Sequence, residues 1–156
     1  MRQEPTKKSR ISKGPIVRTP ATHKQYNDYR QRVKVNDDCV FCNPAEMKDP
    51  HKRSGFTILG NRFPYEVWDG CKVIDHLMII PTRHVASIVE LTSEEKIEYV
   101  NLLGEYEEKG YAVYSRALGG ATRSIVHLHT HLIKLDSRPI RSLVYLEKPH
   151  VLYYKI

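Results

Sequence analysis

Along the 156-residue chain, apolar positions fall into short runs with two different periods. Phe56-Thr57-Ile58-Leu59 is a run of strand length. Asn61-Arg62-Phe63-Pro64 follows as a turn, because Pro64 lacks a backbone donor and has a fixed φ. Tyr65-Glu66-Val67-Trp68 reads as a second strand, closed by Asp69-Gly70, a strong hairpin dipeptide. Val73 to Ile80 is a longer apolar run stopped by Pro81, and residues 81–85 form the loop after it. Thr92-Ser93-Glu94-Glu95 then has the spacing of a capping box. Behind it Tyr99, Leu103, Tyr106, Gly110, Val113 and Ala117 recur at intervals of four and three. That spacing predicts one long helix of about six or seven turns, ended by Gly119-Gly120. Gly104 and Gly110 each cost such a helix about 1 kcal/mol relative to Ala, which points to close packing against a sheet. Ile140–Tyr145 and Val151–Tyr154 read as two further strands around Lys148-Pro149. The crossover helices of a parallel sheet are missing, so the pattern is α+β, an antiparallel sheet with one long helix.

The N-terminal part reads differently. Residues 1–20 are rich in Lys, Arg, Ser, Gly and Pro and poor in apolar residues, the composition of a flexible arm. Residues 21–35 have the makings of a short helix, with Thr22 as its cap and Tyr26 and Tyr29 as its face. The chain therefore divides into a basic arm, 1–34, and a folded domain, 35–156. Charge sharpens this division. The net charge is +7, yet residues 1–34 hold ten of the 25 Lys and Arg and only Glu4 and Asp28 of the 18 acids, so the domain itself is close to neutral. A basic arm suits nucleic acid or another polyanion as a partner. With 40% apolar residues and no run of about 18, the chain is expected to fold as one domain with no membrane span. The polar, basic start lacks the apolar stretch of a signal peptide, and three cysteines do not make a secreted disulfide framework. A reducing, cytoplasmic setting is expected.

Two stretches carry chemistry. In Ile125-Val126-His127-Leu128-His129-Thr130-His131-Leu132-Ile133, three histidines recur at every second position. On a strand they share one face, roughly 6–7 Å apart, while Val126, Leu128, Thr130 and Leu132 share the other. Imidazoles in register offer metal ligation, including a catalytic metal held by all three, or nucleophilic and acid–base work near neutral pH. The second stretch is Cys39-Val40-Phe41-Cys42-Asn43-Pro44. Two thiolates at this spacing chelate one zinc ion if two further ligands exist; otherwise they are two unrelated thiols. A redox role needs a following helix, against which Pro44 and the polar stretch to Arg53 argue.

With these residues in view, the chain resembles the histidine triad (HIT) family. His127-x-His129-x-His131-Leu-Ile is similar to its signature, and His76-Leu77-Met78-Ile79-Ile80-Pro81-Thr82-Arg83-His84-Val85 to its strand and turn. Cys39-Val40-Phe41-Cys42 resembles the zinc half-site of its zinc-bearing members. Asn61-Arg62-Phe63-Pro64-Tyr65 resembles the branch that includes dinucleoside polyphosphate phosphorylases. The resemblance spans about residues 37–134. It implies a nucleotide hydrolase or nucleotidyl transferase acting at an α-phosphate through a nucleotidyl-histidine, often as a homodimer. By match, His129 is the nucleophile, His131 donates to a phosphate oxygen, and Ser124 contacts the phosphate or leaving group. It further implies a structural zinc held by Cys39, Cys42, His84 and His127. Arg123 beside Ser124 adds charge suited to phosphate binding. Asn61 is either a ribose or phosphate contact or a turn residue bonded to its own backbone. The family often carries Gly-Gln-Ser or Gly-Gln-Thr before the triad; here Thr122 and Arg123 stand in place of Gly and Gln, and Ser124 keeps the hydroxyl. The competing reading is a nucleotide- or RNA-binding protein with weak or no catalysis.

Overall fold

The computed structural model describes residues 17–35, 39–47, 49–120, 123–146 and 151–156. Its central element is β4 (Cys71–Pro81), eleven residues long and β-branched or apolar at most positions. β2 (Phe56–Gly60) pairs with one edge of β4 and β6 (Thr130–Pro139) with the other, both antiparallel. β1 (His51–Arg53) extends the sheet beyond β2, and β5 (Tyr111–Ser115) beyond β6. The two-residue β3 (Val67–Trp68) forms a hairpin with the start of β4. Its turn is Asp69-Gly70, both at positive φ (46° and 70°), the two-residue geometry that matches strand twist. β7 (Ser142–Leu146) and β8 (Val151–Lys155) make a separate two-stranded ribbon. The α+β reading with an antiparallel sheet therefore holds. Among the described residues no helix is long and apolar enough to cross a membrane.

Alternation along β2, β4 and β6 gives the sheet two distinct faces. Phe56, Ile58, Ile79 and Leu132 point to one, where they meet Tyr99 and Leu102 of α2 (Ser93–Glu108) in the main core. Leu59, Met78 and Ile80 point to the other, against Phe41 and Met47. His131 lies opposite Met78 in the register, which assigns it to this second face.

Three sequence expectations are corrected. The long helix stops at Glu108 instead of Ala117. Gly110 adopts φ +83°, a conformation that costs any L-residue, and the chain turns there into β5. Tyr111 to Ser115 is a strand because it finds ladder partners in β6, a tertiary gain that helical spacing does not foresee. Gly104 is exposed, and a Cβ there meets nothing within 4 Å, so close packing is not its reason. The second correction concerns the arm. Its division at residue 34 cuts through a helix, α1 (Pro20–Val35), which is tied to the domain. Thr19 and Thr22 hydroxyls both donate to Glu66, and Arg18 Nε donates to the Phe63 carbonyl. Thr22 is thus inside the helix rather than its cap. The stretch 1–16 lies outside the described residues. Third, β6 begins at Thr130, so His127 and His129 occupy the segment leading into the strand.

Candidate functional site

Two neighbouring sites are built on the second face of the sheet and share the triad segment. The first is a four-donor cluster. Cys39 and Cys42 lie on a tight turn, where the Cys42 N–H donates to the Cys39 carbonyl at 2.9 Å. His84 comes from the loop after β4. That loop is held by Arg83, which donates to Glu95 and to the Glu90 carbonyl. His127 is fully buried, and its Nε2–H donates to the Pro81 carbonyl at 2.9 Å, leaving Nδ1 as a lone-pair donor. Cys39 Sγ is 3.3 Å from His127 Nδ1, and Cys42 Sγ is 3.2 Å from His84 Nδ1 and 3.5 Å from His127 Nδ1. All four donor atoms lie within 4.8 Å of one another. Donors bound tetrahedrally at 2.0–2.3 Å stand about 3.3–3.8 Å apart, so these residues could hold one metal ion. Burial and the adjacent Cys39 sulfur push the Cys42 thiol up, a cost that a cation at this point would reverse.

The second site is a cavity of about 630 Å³, within the range of small-ligand sites. His129, His131, Ser124, Arg116 and Asn61 are among the residues that line it. The two histidines are set up differently by their hydrogen bonds. His129 Nδ1–H donates to the His127 carbonyl at 2.8 Å, so Nε2 is the unprotonated nitrogen. Burial first, then the Arg123, Arg116 and His127 charges, push His129 down to about 4 and keep it neutral at pH 7. His131 is governed by His76. The Tyr65 backbone N–H donates to His76 Nδ1 at 3.0 Å, which leaves the His76 proton on Nε2. That proton is donated to His131 Nδ1, also at 3.0 Å. His131 therefore carries its own proton on Nε2, a buried atom with no partner among the described residues. Burial, with His129 and His76 beside it, holds His131 well below the usual imidazole value. The result is a neutral acceptor nitrogen and a neutral N–H donor on adjacent rings, with centroids 5.2 Å apart.

The triad is thus not one row of equivalent imidazoles around a shared ion. His127 points its donor at the cysteines, and His131 points its Nδ1 at His76. Asn61 makes the local turn bond, and its Nδ2 lies 3.2 Å from His76 Nε2. Its Oδ1 accepts the Phe63 N–H at 2.9 Å, a local turn bond, and the residue lines the cavity. Arg123 is not among the residues that line the cavity. Its guanidinium donates to the Ala86 and Val126 carbonyls at 2.6 Å and to Ile125 O at 3.2 Å, clamping the loop before the triad.

Four contributors went unassigned in the sequence. His76 had a signal, a histidine inside the apolar run Val73–Ile80, but its partner His131 is 55 residues away. Arg116 and Tyr65, linked by a 2.8 Å bond, and Phe41, 5.3 Å from the His129 ring, carry no periodic signal.

No protein-family model matches the chain. Among solved structures, a histidine triad nucleotide-binding protein from Sulfolobus tokodaii is similar at TM-score 0.50 and 19% identity, over 64% of this chain and 70% of that one. A HIT family hydrolase from Clostridium thermocellum aligns at TM-score 0.49 and 21% identity, over 66% and 96%. A histidine triad nucleotide-binding protein from Candida albicans aligns at 0.47 and 18%, over 70% and 83%. The chain has the histidine triad fold.

Proposed function

We propose that the protein is a nucleotide hydrolase or nucleotidyl transferase that works through His129. The observation that carries this reading is the hydrogen-bond chain that fixes both tautomers: a lone pair on His129 Nε2 beside a proton on His131 Nε2, in one cavity. His129 Nε2 attacks the α-phosphorus, the new P–N bond forms, and the bond to the leaving group breaks. His131 Nε2–H donates to a phosphate oxygen as negative charge develops, and in this reading Ser124 and Asn61, which line the same cavity, contact the phosphate or ribose. Water, or another acceptor, then attacks phosphorus and releases His129. Neutral histidines suit this task, because a protonated His129 has no lone pair to offer.

The four-donor cluster of Cys39, Cys42, His84 and His127 fits a closed, structural zinc site, with the spacings above as support. Zinc there would supply cross-linking of the N-terminal turn, the loop at His84 and the triad segment.

The test is a panel of nucleoside phosphoramidates, nucleoside polyphosphates and dinucleoside polyphosphates, with quenched samples examined by mass spectrometry for a nucleotidyl adduct. His129→Ala is expected to lose the adduct and about 10³-fold or more in kcat/KM, at least ~4 kcal/mol of transition-state stabilisation. Full turnover by His129→Ala would refute the assignment.

A further inference from the structure

The cavity does not end at the histidines. Tyr26 and Tyr29 of α1, the helix that lies outside the stretch carrying the family resemblance, also line it. α1 has a weak claim to be a helix of the core. Its sequence, Pro20-Ala-Thr-His-Lys-Gln-Tyr-Asn-Asp-Tyr-Arg-Gln-Arg-Val-Lys-Val35, is mostly polar. None of its described residues is among the buried apolar core. Yet it is anchored with some care, through Thr22 to Glu66 and through the preceding Arg18 to Phe63. Thr22, Tyr26 and Tyr29 follow at i, i+4 and i+7, so the anchor and both tyrosines lie on one face. That face is turned to the cavity, which Tyr26 and Tyr29 both line.

The tyrosines meet a third ring, Phe63, in the turn after β2. Tyr26 contacts it edge-on at 5.6 Å and Tyr29 at 5.2 Å. The cluster is braced by cations: Arg30 and Arg32 of α1 lie over Tyr26 and Tyr29 at 5.5 and 5.3 Å, and Arg18 and Arg62 also line the cavity. The Arg18 guanidinium is 4.4 Å from the Tyr26 centroid and that of Arg62 is 4.8 Å from Tyr29. Arg62 and the Tyr29 hydroxyl in turn both donate to Glu46. Such bracing fixes ring orientation at little further entropy cost. A fixed aromatic surface on the same cavity as a phosphate-handling pair matches the two ends of a nucleotide.

We propose that α1 is the nucleobase-recognition element: Tyr26 and Tyr29, with Phe63, form the surface on which the base of the substrate stacks. This rests on the functional reading above. The base lies against the cavity side of the cluster rather than between its rings, which already touch. Stacking on aromatic faces is tolerant of base identity and strong enough to dominate binding of a small nucleotide.

The experiment is calorimetric binding of AMP and of ribose 5-phosphate, which lacks the base, to the full chain and its variants. The wild type is expected to bind AMP at least about tenfold more tightly. Tyr26→Leu/Tyr29→Leu, which keeps apolar bulk but removes both rings, should lose that advantage while ribose 5-phosphate binding is unchanged. Tyr26→Phe/Tyr29→Phe should retain it. Circular dichroism of both double variants separates lost stacking from a melted α1; if the Leu pair melts the helix, Phe63→Leu, outside α1, is used in its place with the same expected loss. An undiminished AMP advantage in a folded ring-less variant overturns the proposal, as does a wild type that binds the two ligands equally. A wild type that binds neither ligand sinks the functional reading itself, and is recognised because the failure precedes any substitution.

Discussion

Arg123 and His76 both act on other residues of the protein through hydrogen bonds. Arg123, beside the hydroxyl of Ser124, donates to four backbone carbonyls, those of Ala86, Arg116, Ile125 and Val126. Arg123→Ala is therefore expected to destabilise the fold by about 2 kcal/mol in urea denaturation, because hydrogen bonds from a charged donor are lost together. Arg123→Lys should recover little, since an ammonium cannot span carbonyls set for a planar fork. His76, left without a role in the sequence, sets the tautomer of His131. Burial, with the Arg18 charge adding to it, pushes His76 down to about 3. The unfolded chain binds a proton near pH 6.5 that the folded one refuses. His76 therefore destabilises the fold progressively as pH falls below 6.5 towards 3, by about 1.4 kcal/mol per pH unit. Urea midpoints of wild type and His76→Gln between pH 7 and 4.5 check this: the variant should show the shallower decline. Parallel curves would remove the claim.

At the scale of elements, α2 shows where local pattern and tertiary pairing part. Its start is written locally, as a capping box in which Thr92 Oγ1 accepts the Glu95 N–H and Glu95 accepts the Thr92 N–H. Its end is written by Gly110 at φ +83°. Gly110→Ala is expected to cost about 1 kcal/mol by conformation alone, because the added Cβ would meet only Lys134 Cε at 3.9 Å. Gly104→Ala, mid-helix with open space around it, is expected to stabilise by up to about 1 kcal/mol. Thermal or urea denaturation of the two variants should move in opposite directions. The strands were legible wherever turn chemistry bounded them, as at Asp69-Gly70 and Pro81. Tyr111–Ser115 was not, because three- and four-residue spacing happened to continue through it.

The whole molecule couples its two sites through one carbonyl. His127, a member of the four-donor cluster, presents the oxygen that accepts the His129 Nδ1–H. Metal removal should therefore act twice. Under the zinc reading, one equivalent of zinc per chain is expected by elemental analysis and is lost in Cys39→Ser. Stability should fall by about 4 kcal/mol where free zinc had exceeded its Kd 1,000-fold. Chelation should also lower kcat by shifting His129, although the metal touches no substrate. Retention of zinc in Cys39→Ser would refute the ligand set.

The features legible from the chain alone depend on near neighbours: alternation along the strands, the capping box, the hairpin dipeptide, the paired cysteines and the spaced histidines. Each is a statement about residues within a few positions of one another. The three histidines began as one row with one chemistry. Their separate roles came from partners far along the chain: Cys39 for His127, 88 residues away, and His76 for His131. Only the carbonyl that orients His129 was near in sequence. The sheet decided the rest, because it sets Met78 opposite His131 and thereby places His76 and His131 on one face. Proton positions on imidazoles follow from those long-range hydrogen bonds, and no local pattern encodes them.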